Sequence, residues 1–363
     1  MVLDLGPVPV SDAYPPADSL ETDKTWPLQV YFCHSCALVQ LGPDAELPPE
    51  EPGPVDSATS KAHAAASVAR VMADEGLEAG QTFVEHDSGH GGSWHSYFIS
   101  AGLRPAEEGA PATLVADVHN LMHELDLDGV LAARAREVAR GGSLVCEFFH
   151  GRPMVAKTLI DTVRHGHYVY LTLNAAIPAL RRHGLVVTRA TEVAAYGGSL
   201  RITARQAEDH PQIHESVERV LGQERADGLD QANSLLAMGT RGHAVARAFR
   251  QRLQTYADAG LSVAGYGAPS KAPVLLAVSR VDRSLLPFTV DLSPAKSGRR
   301  IPGAGVPIYP VSTLLERRPD VIVMLTWDIA DEVATQLRGM FNGHRDWSPT
   351  LYVPLPEPRE EPL

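Results

Sequence analysis

The sequence predicts an α/β protein of two nucleotide-type units joined by a helical connector. Three observations carry that reading. Short apolar runs of strand type alternate with helical patterns over residues 82–203 and again over 261–341. The first run, Thr82-Phe83-Val84-Glu85, enters a glycine-rich turn, His86-Asp87-Ser88-Gly89-His90-Gly91-Gly92, and a helix follows at 93–101. In an open parallel sheet, such a turn and helix start face the ligand. Between the two units, residues 209–260 repeat apolar side chains at helical spacing (Val217/Val220/Leu221, Val245/Phe249/Leu253) without a strand pattern.

Composition narrows the class. The chain has 363 residues, a length for two or three domains, and is 44% hydrophobic, 21% charged and 6% aromatic. That is enough apolar material for packed cores, which excludes wholesale disorder. Acidic residues outnumber basic ones by 44 to 32, a formal charge of −12. A sequence-independent nucleic-acid binder needs a basic footprint, so no nucleic-acid partner is expected. No run approaches the ~20 apolar residues of a membrane span, and residues 1–12 lack the pattern of a signal peptide. Three cysteines cannot build a disulfide framework. A cytoplasmic globular protein is expected, and its 15 histidines are the compositional oddity.

Taken in order, residues 1–57 are proline-rich, with one alternating run, Leu28-Gln29-Val30-Tyr31-Phe32, leading into Cys33-His34-Ser35-Cys36. A CxxC on a strand turn supplies half of a tetrahedral zinc site. No second CxxC exists and Cys146 sits in an apolar run, so Cys33 and Cys36 read as the relic of a knuckle, with His34 the available extra ligand. Residues 58–76 are helical. After the strand at 82–85, strands are expected at 112–118 and 143–149, and helices at 93–101, 129–139, 154–163 and 175–183. Strands at 185–187 and 200–203, antiparallel to each other, close the unit. The second unit begins at 261–265, turns through Tyr266-Gly267-Ala268-Pro269-Ser270-Lys271 and continues with a helix at 273–279. Strands at 288–292, 306–309 and 321–325 and helices at 312–317 and 329–341 complete it. Residues 354–363 are expected to fray.

Four segments together resemble the nucleotide-sugar C-methyltransferase family: residues 27–41, Tyr196-Gly197-Gly198-Ser199-Leu200-Arg201, the run Gly265 to Lys271, and Leu325-Thr326-Trp327-Asp328. Their order runs through nearly the whole chain. The resemblance implies an N-terminal zinc-knuckle region (1–57), a central S-adenosylmethionine (SAM) domain (58–208), the helical connector (209–260) and a C-terminal Rossmann-like substrate domain (261–363). It also implies roles. His167 would be the general base at the sugar carbon, His123 the second active-site histidine, and His165 their neighbour. Glu85, Ser88, Gly89 and Gly91 would hold SAM. Asn120, Tyr196, Gly198, Ser199, Arg201, Tyr266 and Lys271 would hold a nucleotide-sugar or related small molecule.

The departures from that pattern are specific. The family's earlier CxxC would fall before Met1, and Asp87 stands where its SAM turn has a glycine. Residues 104–116 leave no room for the strand that carries the ribose-binding acid, with Glu107 and Glu108 the only acids there. The family's Tyr-His-Glu-His segment becomes Arg164-His165-Gly166-His167, while its Asn-Val-x-x-His segment survives as Asn120-Leu121-Met122-His123. A truncated SAM-methyltransferase-like Rossmann domain is therefore expected, with proton-handling residues kept and methyl-donor residues lost. The function this implies is a tailoring enzyme using histidine acid–base chemistry: isomerisation, elimination or cyclisation. Two alternatives stand beside it: a SAM-dependent sugar C-methyltransferase with a shortened pocket, and a non-catalytic partner or scaffold.

Eight histidines lie between positions 86 and 167, several of them just after predicted strands. Strand carboxyl ends converge on the ligand crevice of such a sheet. Imidazole is also the common ligand for zinc or iron, and His86, His90 and His119 are the candidates for such an ion. Lys271, Lys296, Arg299 and Arg300 are candidate partners for a diphosphate.

Overall fold

The computed structural model describes residues 1–19, 21–42, 56–88, 92–343 and 346–363. The proline-rich start is more ordered than its weak periodicity suggests. Strands β1 (Leu3–Pro9), β2 (Thr25–Phe32) and β3 (Val39–Leu41) form an antiparallel meander, with Val8 and Leu28 fully buried beneath it. The alternating run at 28–32 lies in β2 as expected; β1, rich in proline and glycine, gave no sequence signal.

The central unit opens with α1 (Ala58–Glu75). Ser57 accepts the Ser60 N–H at its start, and Gly76 closes it in the left-handed conformation that an L side chain disfavours. There follow β4 (Thr82–Asp87), α2 (His95–Ser100), β5 (Arg104–Pro105), β6 (Ala112–Val118), α3 (Leu127–Glu137) and β7 (Val138–Phe149). Next come α4 (Gly151–Ala156), β8 (Val169–Tyr170), α5 (Leu173–Arg181), β9 (Leu185–Val193) and β10 (Ser199–Gln206). The sheet order is β5-β4-β6-β7-β10-β9, with β8 instead completing the N-terminal sheet beside β3. Strands β5, β4, β6 and β7 are parallel; β10 runs antiparallel to β9, as expected, and also to β7.

In a doubly wound sheet of order 3-2-1-4-5-6, β5, β4, β6 and β7 take places 2, 1, 4 and 5. Strand 2 is reduced to Arg104–Pro105, and residues 106–111 lead directly into β6, so place 3 has no strand. The expected helix at 154–163 is also shorter. Thr158 adopts φ 56°, which no α-helix accommodates, and only a 3₁₀ turn at Ile160–Thr162 follows.

The connector consists of α6 (Ser216–Ala226) and the long α7 (Ala232–Asp258). Gly239 packs against Leu3, Gly242 against Ile160, and Phe249 stacks on Tyr352, so α7 touches all three sheeted regions. The C-terminal unit comprises β11 (Val263–Tyr266), α8 (Ala272–Ser279), β12 (Thr289–Asp291), β13 (Arg300–Ile301), β14 (Val306–Pro310), α9 (Thr313–Arg317), β15 (Val321–Met324) and α10 (Ala330–Phe341). Strands β16 (Thr350–Val353) and β17 (Arg359–Pro362) end it. The expectation that residues 354–363 fray is corrected. Strand β17 pairs with β16 from Arg359 to Pro362, and Leu355 is fully buried.

The parallel strands stand in the order β14-β12-β11-β15-β16, the 3-2-1-4-5 half of a Rossmann sheet, flanked by antiparallel β13 and β17. Its switch point lies between β11 and β15, where a ligand crevice is expected. No helix among the described residues is long and apolar enough to cross a membrane.

Candidate active site

A two-lobed cleft opens at that switch point and is closed from the other side by loops of the central unit. One lobe, about 380 Å³, is lined by His63, His119, His123, His167, Tyr196 and Lys271 among others. The other, about 420 Å³, is lined by Tyr14, Tyr266, Asp291, Lys296 and Arg299. Asp56, Ser57, Pro269, Ser270, Thr326 and Ile329 line both.

His123 ends the 3₁₀ turn that follows β6, and His167 ends the turn before β8. The Tyr168 N–H donates to the Met122 carbonyl at 2.7 Å, drawing the two turns together. The imidazoles consequently meet edge to face, with ring centroids 4.9 Å apart. Arg164 fixes this corner to the rest of the molecule. Its Nη1 lies 3.3 Å from Asp12 Oδ2, and Ser270 Oγ donates to Asp12 Oδ1 at 2.7 Å. One buried carboxylate thus joins the N-terminal sheet, the histidine corner and the β11–α8 turn.

Deeper in the same lobe, His63 of α1, His119 after β6 and Glu147 near the end of β7 form a cluster. His63 Nε2 and His119 Nε2 lie 2.5 and 3.1 Å from Glu147 Oε1. Arg201 Nε donates to Oε2 at 2.8 Å. Burial alone would raise the Glu147 carboxyl, but the hydrogen bonds from His119 and His63, with the Arg201 charge, hold it well below the usual carboxylate range. Tyr196 stands over the pair, its ring centroid 4.8 Å from His119 and 5.8 Å from His63.

The turn after β11 approaches its neighbours too closely for side chains. A Cβ on Gly265 would lie 2.6 Å from Thr289 Oγ1, and one on Gly267 2.5 Å from Thr326 Cγ2. Beyond the turn, Lys271 pairs with Asp328 and its ammonium sits 4.0 Å above the Trp327 ring. Trp327 is buried and donates Nε1–H to Asp161 Oδ2 at 2.6 Å.

Residues 194–356 match the family described as "C-methyltransferase C-terminal domain", and residues 1–51 match the family described as "Putative zinc binding domain". The chain is 27% identical over 249 residues to the C-methyltransferase NovU of Streptomyces niveus. The chain is thus similar to C-methyltransferases in both segments and over most of its length. The NovU match covers 68% of this chain and 58% of NovU, so the chain spans little more than half of that relative. Among solved structures, the chain is similar to a magnesium protoporphyrin IX methyltransferase from Synechocystis PCC 6803. That likeness has 13% identity and a TM-score of 0.31, over 42% of this chain and 88% of that one. It is also similar to a SAM-dependent methyltransferase from Clostridium acetobutylicum, at 9% identity and a TM-score of 0.29, over 39% and 90% of the two chains.

The structure separates the residues singled out from sequence. His123, His167, Tyr196, Lys271 and Ser88 line the first lobe and Tyr266 the second. Three candidates have other work. His165 is buried against β2, its Nε2 3.3 Å from the Pro27 carbonyl, and lines neither lobe. Arg201 is spent inside the sheet on Glu147 and stacks over Trp94. Asn120 donates to Glu124 at 2.9 Å and does not reach the cleft. Gly198 and Ser199 are structural: Gly198 packs on Pro153 with φ 132°, and Ser199 donates to the Ala195 carbonyl. Of the candidate diphosphate partners, Lys296 and Arg299 face the second lobe, whereas Arg300 is buried against Asp23.

The histidine set proposed for an ion is not assembled as expected. His86 pairs with Glu137 at 2.7 Å, His119 belongs with His63 and Glu147, and His90 lies outside the described residues. Gly89 and Gly91 lie outside them too. His63 and Glu147 escaped the sequence reading. Glu147 carried a usable signal, since it stands near the carboxyl end of a predicted strand, where side chains reach the crevice.

The residues present do not fit SAM in its usual mode. Strand 2 is a two-residue stub, and both acids after it, Glu107 and Glu108, are exposed. The Glu85 carboxylate is turned inward to accept the Trp94 N–H at 2.5 Å and the Ser93 hydroxyl at 3.1 Å. Nor do the residues present fit a tetrahedral zinc knuckle. Cys33 and Cys36 are free thiols, and no other ligand group gathers on them among the described residues.

Proposed function

We propose that this C-methyltransferase relative is a tailoring enzyme of small-molecule biosynthesis, working by proton transfer between two histidines without a methyl donor. The meeting of His123 and His167 on the wall of the first lobe, 4.9 Å apart, carries the reading. A base and an acid that close can act on neighbouring atoms of one bound substrate. The substrate class it suits is a nucleoside diphosphate sugar. Lys296 and Arg299 line the second lobe and offer cations for the diphosphate, Tyr14 and Tyr266 line it beside them, and the sugar would extend toward the histidines.

His167 as base removes a proton from the carbon beside the sugar carbonyl, and the C–H electron pair moves onto the carbonyl oxygen as an enolate. His123, protonated, returns a proton to the enolate carbon or oxygen, giving an isomer of the same composition. Where a leaving group stands on the next carbon, the same enolate expels it instead.

Proton abstraction is tested by incubating the full chain with a nucleoside diphosphate ketosugar in deuterated water and weighing the sugar by mass spectrometry. Deuterium uptake without added SAM is expected, falling by about 100-fold or more in His167→Ala. The family match at 194–356 favours a second reading, a working SAM-dependent C-methyltransferase. A sugar that gains a methyl group when SAM is present, and no deuterium when it is absent, would establish that one.

A further inference from the structure

We infer that His63, His119 and Glu147 form a binding site for a divalent transition-metal ion of the zinc(II)–iron(II) class, open toward the first lobe of the cleft. Their ligand atoms all lie within 4.8 Å of one another. They come from three separate elements, a helix, a turn and a strand, which the fold brings to one point. Two imidazole nitrogens with one carboxylate is the donor set of catalytic zinc sites and of non-haem iron(II) sites, both of which keep open positions.

The surroundings have the character of an outer shell. Arg201 holds the carboxylate oxygen that the histidines do not touch, leaving Oε1 directed at both nitrogens. Ser67 Oγ lies beside the His63 ring, 3.4 Å from Nδ1 and 3.3 Å from Nε2. His119 takes a left-handed backbone, φ 54°, unusual for a non-glycine residue, and its N–H donates to the Glu147 carbonyl at 2.7 Å. That conformation turns its ring onto the cluster.

The side toward solvent is the cleft. His63 and His119 line the first lobe while Glu147 lies behind them, fully buried. An ion seated there would present its remaining positions to whatever the lobe holds, on the same wall as His123 and His167. This inference is independent of the proton-transfer reading. A protein can bind the ion and not move protons, or the reverse.

The competing reading is a hydrogen-bonded cluster in which both Nε2 atoms carry protons that satisfy Glu147. The two differ in whether those nitrogens can give lone pairs to an ion. The test is cobalt(II) titration of the metal-stripped full chain, followed by d–d absorption and calorimetry. One cobalt(II) per chain is expected, with zinc(II) displacing it in line with its higher affinity. His63→Ala and His119→Ala should each abolish the absorption while melting cooperatively, and Glu147→Gln supplies a third variant of unchanged shape. A double Cys33→Ser, Cys36→Ser variant should bind as the parent does. No uptake, uptake unchanged in the histidine variants, or uptake lost only in the cysteine variant would each overturn the site.

Discussion

At the scale of single residues, the buried polar groups are the most exacting. Glu224 of α6 accepts from His150 Nε2 at 2.7 Å and from the Leu173 and Asn174 N–H groups at 2.6 and 2.8 Å, so it caps α5 from another helix. Removing a carboxylate that satisfies three buried donors costs the desolvation of each donor left behind. Glu224→Ala is expected to lower unfolding free energy by ~3–5 kcal/mol in urea titration, with Glu224→Gln milder. His123 and His167 were legible in the sequence because they stand in short segments with a recognisable order. His63 was not, since a histidine on a helix of small residues has no local mark, and the one mark on Glu147, its place near the end of a predicted strand, does not say which partners it meets. Contacts that join α1 to β7 are made by the fold, and no local spacing encodes them.

Among the elements, α7 and α6 make opposite predictions about glycine. A Cβ at Gly242 of α7 would lie 2.2 Å from Ile160 Cγ2, and Ile160 is fully buried. Gly242→Ala is therefore expected to destabilise by about 1–2 kcal/mol, because overpacking outweighs the gain in helix propensity. Gly222 of α6 is exposed and has no heavy atom within 4 Å of the same position. Gly222→Ala should stabilise by ~0.5–1 kcal/mol, read in the same urea titration. The order of strands and helices from 58 onward was legible, because burial imposes the periodicities on which the reading rests. Less legible were β1, β16 and β17, where proline, glutamate and short length mask the alternation and pairing alone makes the strand. The broken helix after Met154 was missed for a related reason: nothing in Lys157-Thr158 announces a left-handed turn.

Across the whole molecule, the units are joined by a few buried polar links, and one of them titrates. Burial pushes the Asp161 carboxyl up to about 6, against the Lys271 charge and the Trp327 hydrogen bond, which lower it. An acid raised in the folded state contributes fully below its unfolded value, near ~3.9, and loses that contribution as pH rises through ~6. Asp161→Asn retains an acceptor for Trp327 and removes the titration. Its stability relative to the parent should therefore rise by about 1–3 kcal/mol between pH ~4 and pH ~7, measured by urea unfolding at both. The same scale holds the central question, whether a chain similar to C-methyltransferases, whose strand 2 is a stub and whose Glu85 is turned inward, takes SAM as a methyl donor. Titrating SAM into the full chain by calorimetry, with melting followed in parallel, answers it. No binding heat and no change in melting temperature are expected. Saturable micromolar binding, with the ~2.7 kcal/mol of stabilisation that a hundredfold excess over Kd confers on a native state, would contradict the loss of the SAM site.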